Sequence, residues 1–214
     1  MTKAVLFDLD GTFADTAPDL CLAINRMRVK RNLPEIPVSA TRPVTSLGAR
    51  GLLGVGFGMK PDDDGYIAMR DEFLDYYNNE LCVHTVLFPG MESLITALEK
   101  RTVRWGIVTN KAERFAKPLI SQLGLDARCG CVIGGDTTAR TKPHPEPLLA
   151  ACRVINIDPQ FCIYVGDDER DIIAGRAAGM RTVAVGYGYL NGGRPEAWGA
   201  DVVVQTPMDI LDHL

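Results

Sequence analysis

The chain has 214 residues, 46% of them hydrophobic and 23% charged, with 23 Lys and Arg against 27 Asp and Glu for a net charge of −4. This composition suits a globular protein with one substantial core and a smaller module, and no Lys/Arg run alternates with aromatics as a nucleic-acid binder would require. No apolar stretch reaches membrane-spanning length. The N-terminal run is interrupted by Asp8 and Asp10 and lacks a signal-peptide cleavage region, so a cytoplasmic location without membrane partners is expected.

The first predicted strand, residues 4–7, runs into Asp8-Leu9-Asp10-Gly11-Thr12. Strand side chains alternate in direction, so Asp8 and Asp10 share a side if the strand persists through both, and Gly11 lets backbone amides approach an anion. Paired carboxylates at a strand end can bind a hard cation and attack an electrophile, with Asp8 as nucleophile and Asp10 as proton carrier. The plain alternative is an Asp-Gly turn.

An insertion then runs from about residue 15 to about residue 88, longer than a crossover between parallel strands requires. Pro18 suits the first turn of a helix whose apolar side is Leu20, Ile24 and Met27. A second helix is expected over 63–81, where Tyr66, Met69, Phe73 and Tyr77 recur at helical spacing. Between them, the glycines of Ser46-Leu47-Gly48-Ala49-Arg50-Gly51 and Gly54-Val55-Gly56-Phe57-Gly58 do not have dinucleotide-binding spacing and follow no strand, so they read as a hinge or bend. Arg50 either solvates the surface or, facing a site, pairs with a substrate carboxylate or hydroxyl in a fork.

Past the insertion, strands and helices alternate. A strand at 104–108 delivers Thr109-Asn110-Lys111. Phe115, Leu119 and Leu123 then mark a helix that ends at Gly124. After a strand at 131–134 comes Arg140-Thr141-Lys142-Pro143-His144-Pro145. The strand at 161–165 delivers Gly166-Asp167-Asp168-Glu169-Arg170-Asp171, followed by Ile172, Ile173, Ala177 and Ala178 before Gly179, and further strands follow at 182–185 and 201–204.

This alternation predicts an α/β protein with a doubly wound parallel sheet. The chemical residues leave its first, second and fourth strands, so an order of 3-2-1-4-5 places the site at the switch point beyond the strands' carboxyl ends. Taken singly, each motif has an ordinary explanation. Thr109-Asn110 could cap a helix, Lys142 could be a solvated lysine, and the acidic run could complement a helix dipole. Six scattered cysteines, with Cys129-Gly130-Cys131 lacking the spacer of zinc and redox pairs, read as reduced packing residues. His84, His144 and His213 show no ligand spacing.

Taken in order, DLDGT, a strand ending in Thr-Asn, a Lys before Pro and GDDERD resemble the haloacid dehalogenase superfamily over nearly the whole chain. Within it the chain is similar to the phosphoglycolate phosphatase type, and the segments 88–92 and 166–179 are also similar to N-acetylmuramic acid 6-phosphate phosphatases. The resemblance implies a Rossmann-like catalytic core over 1–14 and 89–214 with a helical cap over 15–88. It implies Mg²⁺ held by Asp8, the Asp10 carbonyl and Asp167, and phosphoryl binding by the Thr109 hydroxyl, the amides near Asn110 and the charge of Lys142, with Arg50 available for a carboxylate. A phosphate dianion beside an aspartate meets repulsion of about 4 kcal/mol per charge pair at about 4 Å, which such cations would offset.

The activity implied is a Mg²⁺-dependent phosphomonoesterase acting through a phospho-aspartate on a small carboxylated ester of the 2-phosphoglycolate kind. N-acetylmuramic acid 6-phosphate hydrolysis and a β-phosphoglucomutase-like phosphomutase are the alternatives. A phospho-receiver domain is about half this size and lacks an insertion. Dehalogenation is disfavoured because a halide leaving group needs no proton from Asp10. Two residues depart from the commonest pattern: Phe13 stands where a smaller aliphatic is frequent, and Asp168 where Ser or Thr is frequent. The extra carboxylate leaves open whether Asp168 or Asp171 joins Asp167 at the metal, with Asp171 alternatively holding Lys142. A monomer or homodimer with a small-molecule substrate is expected.

Overall fold

The computed structural model describes residues 1–214. Its frame is a six-stranded parallel sheet built from β1 (Ala4–Phe7), β4 (Arg104–Val108), β5 (Val132–Ile133), β6 (Cys162–Gly166), β7 (Arg181–Val185) and β8 (Val202–Val204). The spatial order is β5-β4-β1-β6-β7-β8, the expected 3-2-1-4-5 with the last strand added at the edge. β1 lies at the centre, with Phe7 paired to Ile107 on one side and to Val165 on the other. All four β1 residues are buried, as a parallel sheet covered on both faces demands.

Alternate residues of β1 feed two apolar clusters. Val5 and Phe7 pack with Leu94, Ile95 and Leu98 of α5 (Met91–Lys100) and with Phe115 and Leu119 of α6 (Glu113–Gln122). Ala4 and Leu6 pack with Leu148, Ala151 and Ile155 of α7 (Glu146–Ile155) and Ala174 of α8 (Glu169–Ala177). The period-two alternation therefore sorts helices to opposite faces, which is the physical content of a doubly wound sheet. Gly124 and Gly179 end α6 and α8 at positive φ, as their place in the sequence suggests. Ile173, read as part of the apolar side of α8, is 47% exposed, and Ile172 and Ala174 carry that packing instead.

The insertion begins and ends in a two-stranded antiparallel ribbon, β2 (Ala14–Asp15) against β3 (Val86–Leu87). Between them lie α1 (Ala17–Lys30), α2 (Val38–Thr41), a 3-10 turn (Arg42–Leu47), α3 (Ala49–Phe57) and α4 (Tyr66–Asn79). α4 starts later than the periodicity suggests because Gly65, at φ +79°, interrupts the helix before Tyr66. The buried Asp19 carboxylate accepts from the backbone N–H groups of His84 and Thr85, tying α1 to the strand that leaves the insertion.

The glycine-rich segment is helical in its middle, with Gly51, Gly54 and Gly56 inside α3, and bends at Gly48 and Gly58, both at positive φ. Gly56 lets α3 approach α1 so closely that an added Cβ would stand 2.7 Å from Ile24 Cγ2. Packing is continuous across the insertion boundary, since Leu20, Ile24, Leu52, Phe73 and Tyr77 belong to the same buried cluster as Phe7, Phe13 and Phe115. Phe13 is fully buried between Phe7 and Trp105, with ring centroids 5.6 and 5.4 Å away, and the larger side chain at this position is used for core stacking.

Candidate active site

The carboxyl ends of β1, β4 and β6 converge on a cavity of about 340 Å³, roofed by residues of the 3-10 turn and α4. Asp8, Asp10, Thr109, Asn110 and Lys142 all line it. At its floor the Lys142 ammonium donates to Asp8 Oδ1 at 2.8 Å, Asp171 Oδ1 at 2.7 Å and the Tyr164 hydroxyl at 2.8 Å. Its three protons are thus spent on fixed partners, and Tyr164 in turn donates to the Val108 carbonyl at 2.7 Å. Burial opposes charge on Lys142, yet Asp171 and Asp8 raise its pKa above the ordinary lysine value.

Asp8, Asp167 and Asp171 each offer a carboxylate oxygen within 4.8 Å of the others, all on buried residues. Burial, then Asp8 and Asp171, push the Asp167 carboxyl well above the usual range. Burial also pushes Asp171 up to about 7, with Lys142 pulling against it. A set of hard oxygen donors this crowded, compensated by one lysine, fits a small divalent cation.

Asp167 is held by the Thr12 hydroxyl at 2.8 Å and the Tyr189 N–H at 2.9 Å. It is walled in by glycine: a Cβ on Gly188 would stand 2.3 Å from Asp167 Cβ, and one on Gly11 would stand 2.3 Å from Asp167 Oδ2.

Asp10 turns away from this cluster. Its carboxylate accepts from Thr16 Oγ1 and from Lys111 Nζ at 2.8 Å, and Lys111 lies over the Tyr77 ring at 4.7 Å from its centroid. Burial disfavours charge on Lys111, but Asp10 more than reverses that and raises its pKa. Thr109, 2% exposed, accepts the Lys111 N–H at its hydroxyl. Asn110 spends its amide on the backbone of Lys142 in both directions, at 3.0 Å each way.

Asp168 is engaged elsewhere. It caps α8 by accepting the Arg170 N–H, forms a bidentate pair with the Arg170 guanidinium at 2.8 Å per bond, and accepts from Asn191. Burial opposes its charge, but these bonds hold its carboxyl below the usual value. Asp168 is thus paired with Arg170, while Asp171 lies in the carboxylate cluster with Asp8 and Asp167.

Arg50 lies elsewhere. It is exposed near the start of α3 and lines a separate surface groove with Glu169, Ile173 and Trp198. The cations that do line the cavity are Lys111, Arg114, Lys142 and Arg170. Sequence reasoning missed Lys111 and Arg170 as site residues although both stand inside quoted motifs. It also missed Tyr164, whose signal is a phenol in an otherwise apolar buried strand that must find a partner.

The family model for haloacid dehalogenase-like hydrolases matches residues 5–185. The chain belongs to this family. It is 47% identical over 209 residues to the N-acetylmuramic acid 6-phosphate phosphatase of Pseudomonas putida KT2440, covering 97% of this chain and 94% of that one. It is 48% identical over 211 residues to the phosphoglycolate phosphatase of Xanthomonas campestris pv. campestris 8004, covering 98% and 95%. The crystal structure of a predicted phosphoglycolate phosphatase from Haemophilus somnus 129PT superimposes with a TM-score of 0.86 at 28% identity, covering 99% and 97%. Membership in the haloacid dehalogenase-like hydrolases accounts for the doubly wound core and for an acidic cluster at the switch point.

Proposed function

We propose that this protein is a Mg²⁺-dependent phosphomonoesterase that works through a phospho-aspartate on Asp8. The observation that carries the reading is the Lys142 ammonium, buried and bonded to both Asp8 and Asp171, which holds the Asp8 carboxylate at the cavity floor against two neighbouring carboxylates. Asp8, Asp167 and the Asp10 carbonyl would hold the cation, with Asp171 alongside, and the cation would supply the positive charge that lets two anions meet.

This chain's residues do the rest. Lys142 orients Asp8 for attack at phosphorus. Thr109 presents its hydroxyl to the phosphoryl oxygens as a donor aimed at the transition state. Asp10, a carboxylate paired with Lys111 before the ester binds, takes up one proton with the bound ester, delivers it to the departing alkoxide oxygen and then takes one from the water that cleaves the aspartyl-phosphate. Residues 15–88 act as the cap, bringing Thr45, Ser46, Phe73 and Tyr77 over the reacting groups and excluding water. The enzyme acts in the cytoplasm as a monomer or homodimer.

The substrate is a carboxylated phosphate ester, as in the named relatives. Phosphoglycolate is the smaller option. A specific feature favours the larger one: the cavity extends along an apolar wall of Leu20, Phe73, Leu74 and Phe115, more surface than a two-carbon acid can cover and suited to a sugar ring with an acyl chain.

The test is phosphate release from 2-phosphoglycolate, N-acetylmuramic acid 6-phosphate, glucose 6-phosphate and β-glucose 1-phosphate. Preference for a carboxylated ester, lost in Asp8→Asn, is expected. Isomerisation of β-glucose 1-phosphate would make the protein a mutase, and turnover by Asp8→Asn would remove the nucleophile. Asp10→Asn should lose about 10² to 10⁴ in rate on alkyl phosphates and less on nitrophenyl phosphate, whose leaving group departs without protonation.

A further inference from the structure

Throughout the chain, two buried side-chain polar atoms have no hydrogen-bond partner: Ser46 Oγ and Tyr77 Oη. Both residues line the active-site cavity and both come from the insertion, Ser46 from the 3-10 turn and Tyr77 from α4. A buried hydroxyl left unpaired costs about 1–3 kcal/mol, and native proteins keep few of them. Two such atoms on the walls of one cavity, and none elsewhere, call for a partner that enters that cavity.

Each orphan hydroxyl has a cation beside it. Arg170 reaches across from α8 to donate to the Ser46 carbonyl at 3.0 Å. Its Nε and Nη2 are taken by Asp168 and Ser46, which leaves Nη1 free to bond a third party. Lys111 sits over the Tyr77 ring, near enough for its charge to act on the phenol although the two make no hydrogen bond of proper geometry, and its ammonium is bonded to Asp10 instead. Burial pushes the Tyr77 phenol up to about 12, so it stays a neutral donor.

We propose that Ser46 and Tyr77 are specificity-determining residues, whose hydroxyls, with Arg170 Nη1 and Lys111, receive the carboxylate and hydroxyl oxygens of the substrate's organic part. The assignment rests on the phosphomonoesterase reading and deepens it. The substrate class is an ester whose non-phosphate part carries an anionic group and at least one further hydrogen-bonding oxygen. Asp168 is the positioning residue of this set, since its bidentate grip fixes the plane of the Arg170 guanidinium. The departure from the commoner Ser or Thr at this position is then the feature that installs Arg170 in the cavity wall.

The test is steady-state kinetics of Tyr77→Phe, Ser46→Ala and Arg170→Gln on the best carboxylated ester of the panel and on nitrophenyl phosphate, with melting temperatures alongside. For the carboxylated ester kcat/KM should fall by at least tenfold in Tyr77→Phe and Arg170→Gln and about fivefold in Ser46→Ala, chiefly through KM. The fall should be several-fold smaller on nitrophenyl phosphate, so the ratio between substrates drops. Melting temperature should hold or rise in the two hydroxyl deletions, because each removes an unpaired buried group. Equal losses on both substrates, or a drop in melting temperature with the ratio unchanged, would overturn the assignment and make both hydroxyls structural. If the unmodified protein hydrolyses neither ester, it is the phosphomonoesterase reading that fails, which is a different outcome.

Discussion

Asn110 and Lys142 grip each other reciprocally: the Asn110 amide donates to the Lys142 carbonyl and accepts the Lys142 N–H, both at 3.0 Å. The pair ties the end of β4 to the loop before α7, and it sets the height at which the Lys142 ammonium meets Asp8. The sequence reads the backbone amides near Asn110 as phosphoryl donors, and the Asn110 side chain holds the loop that carries them. Asn110→Ala should lower kcat by about 10², since a misplacement of about 1 Å at the reacting groups costs that much. KM should change less than threefold. A loss confined to KM would return Asn110 to direct phosphate contact.

Lys142→Met should damage stability as well as rate. Removing the ammonium leaves Asp8 and Asp171 buried without their cation, and breaking a buried pair from one side costs about 3–5 kcal/mol. For a chain of this length that is roughly 6 to 20 °C in melting temperature. Adding Asp171→Asn to Lys142→Met should recover part of the melting temperature but none of the activity. A Lys142→Met protein as stable as the original would contradict the ion-pair geometry at the cavity floor.

Metal removal gives a third test with two readouts. EDTA should abolish phosphate release and Mg²⁺ restore it. Mg²⁺ should also raise the melting temperature, because binding to the folded state alone contributes about 2.7 kcal/mol at a hundredfold excess over Kd. Asp167→Asn should weaken the Mg²⁺-induced shift, whereas Asp168→Asn should leave most of it, as Asp168 is occupied by Arg170. A full shift in Asp167→Asn would take Asp167 out of the metal site.

The sequence carried the frame of this site and left out its fine positioning. Strand order was legible because Asp8, Thr109 and Asp167 each follow a short apolar run, and residues with shared chemistry must leave adjacent strands. The glycine-rich segment bends at Gly48 and Gly58, but the helix between them was not legible, because a run of Gly carries no sign of what packs on it; Gly56 is close-packed against Ile24 of α1. Arg50 could be read either as surface or as site from its position in the insertion, and the structure gives the surface, while Arg170 stands unnoticed inside a motif read for its carboxylates. Whether a cation faces a cavity depends on helix phase, and one residue of phase turns a side chain by about 100°. The two orphan hydroxyls had no sequence signature, since an unpaired atom is defined by everything around it.

Gly188 offers a test of the metal site from outside it. A Cβ there would stand 2.3 Å from Asp167 Cβ and 2.5 Å from the Gly11 carbonyl, neither of which is the far end of a flexible side chain. Gly188→Ala must therefore displace Asp167, whose two hydrogen bonds from Thr12 and Tyr189 leave it little freedom. Overpacking of this kind costs about 1–3 kcal/mol of stability. The more specific effect is on the cation: Mg²⁺ affinity, followed by titration of the melting temperature, should weaken by about tenfold or more, and kcat should fall at every Mg²⁺ concentration. Gly54→Ala is the control, because its Cβ would meet nothing nearer than the Met59 carbonyl at 3.7 Å and the residue lies within a helix. That variant should gain up to about 1 kcal/mol and titrate with Mg²⁺ as the original does. If Gly188→Ala also titrates unchanged, the glycine wall does not set the position of Asp167.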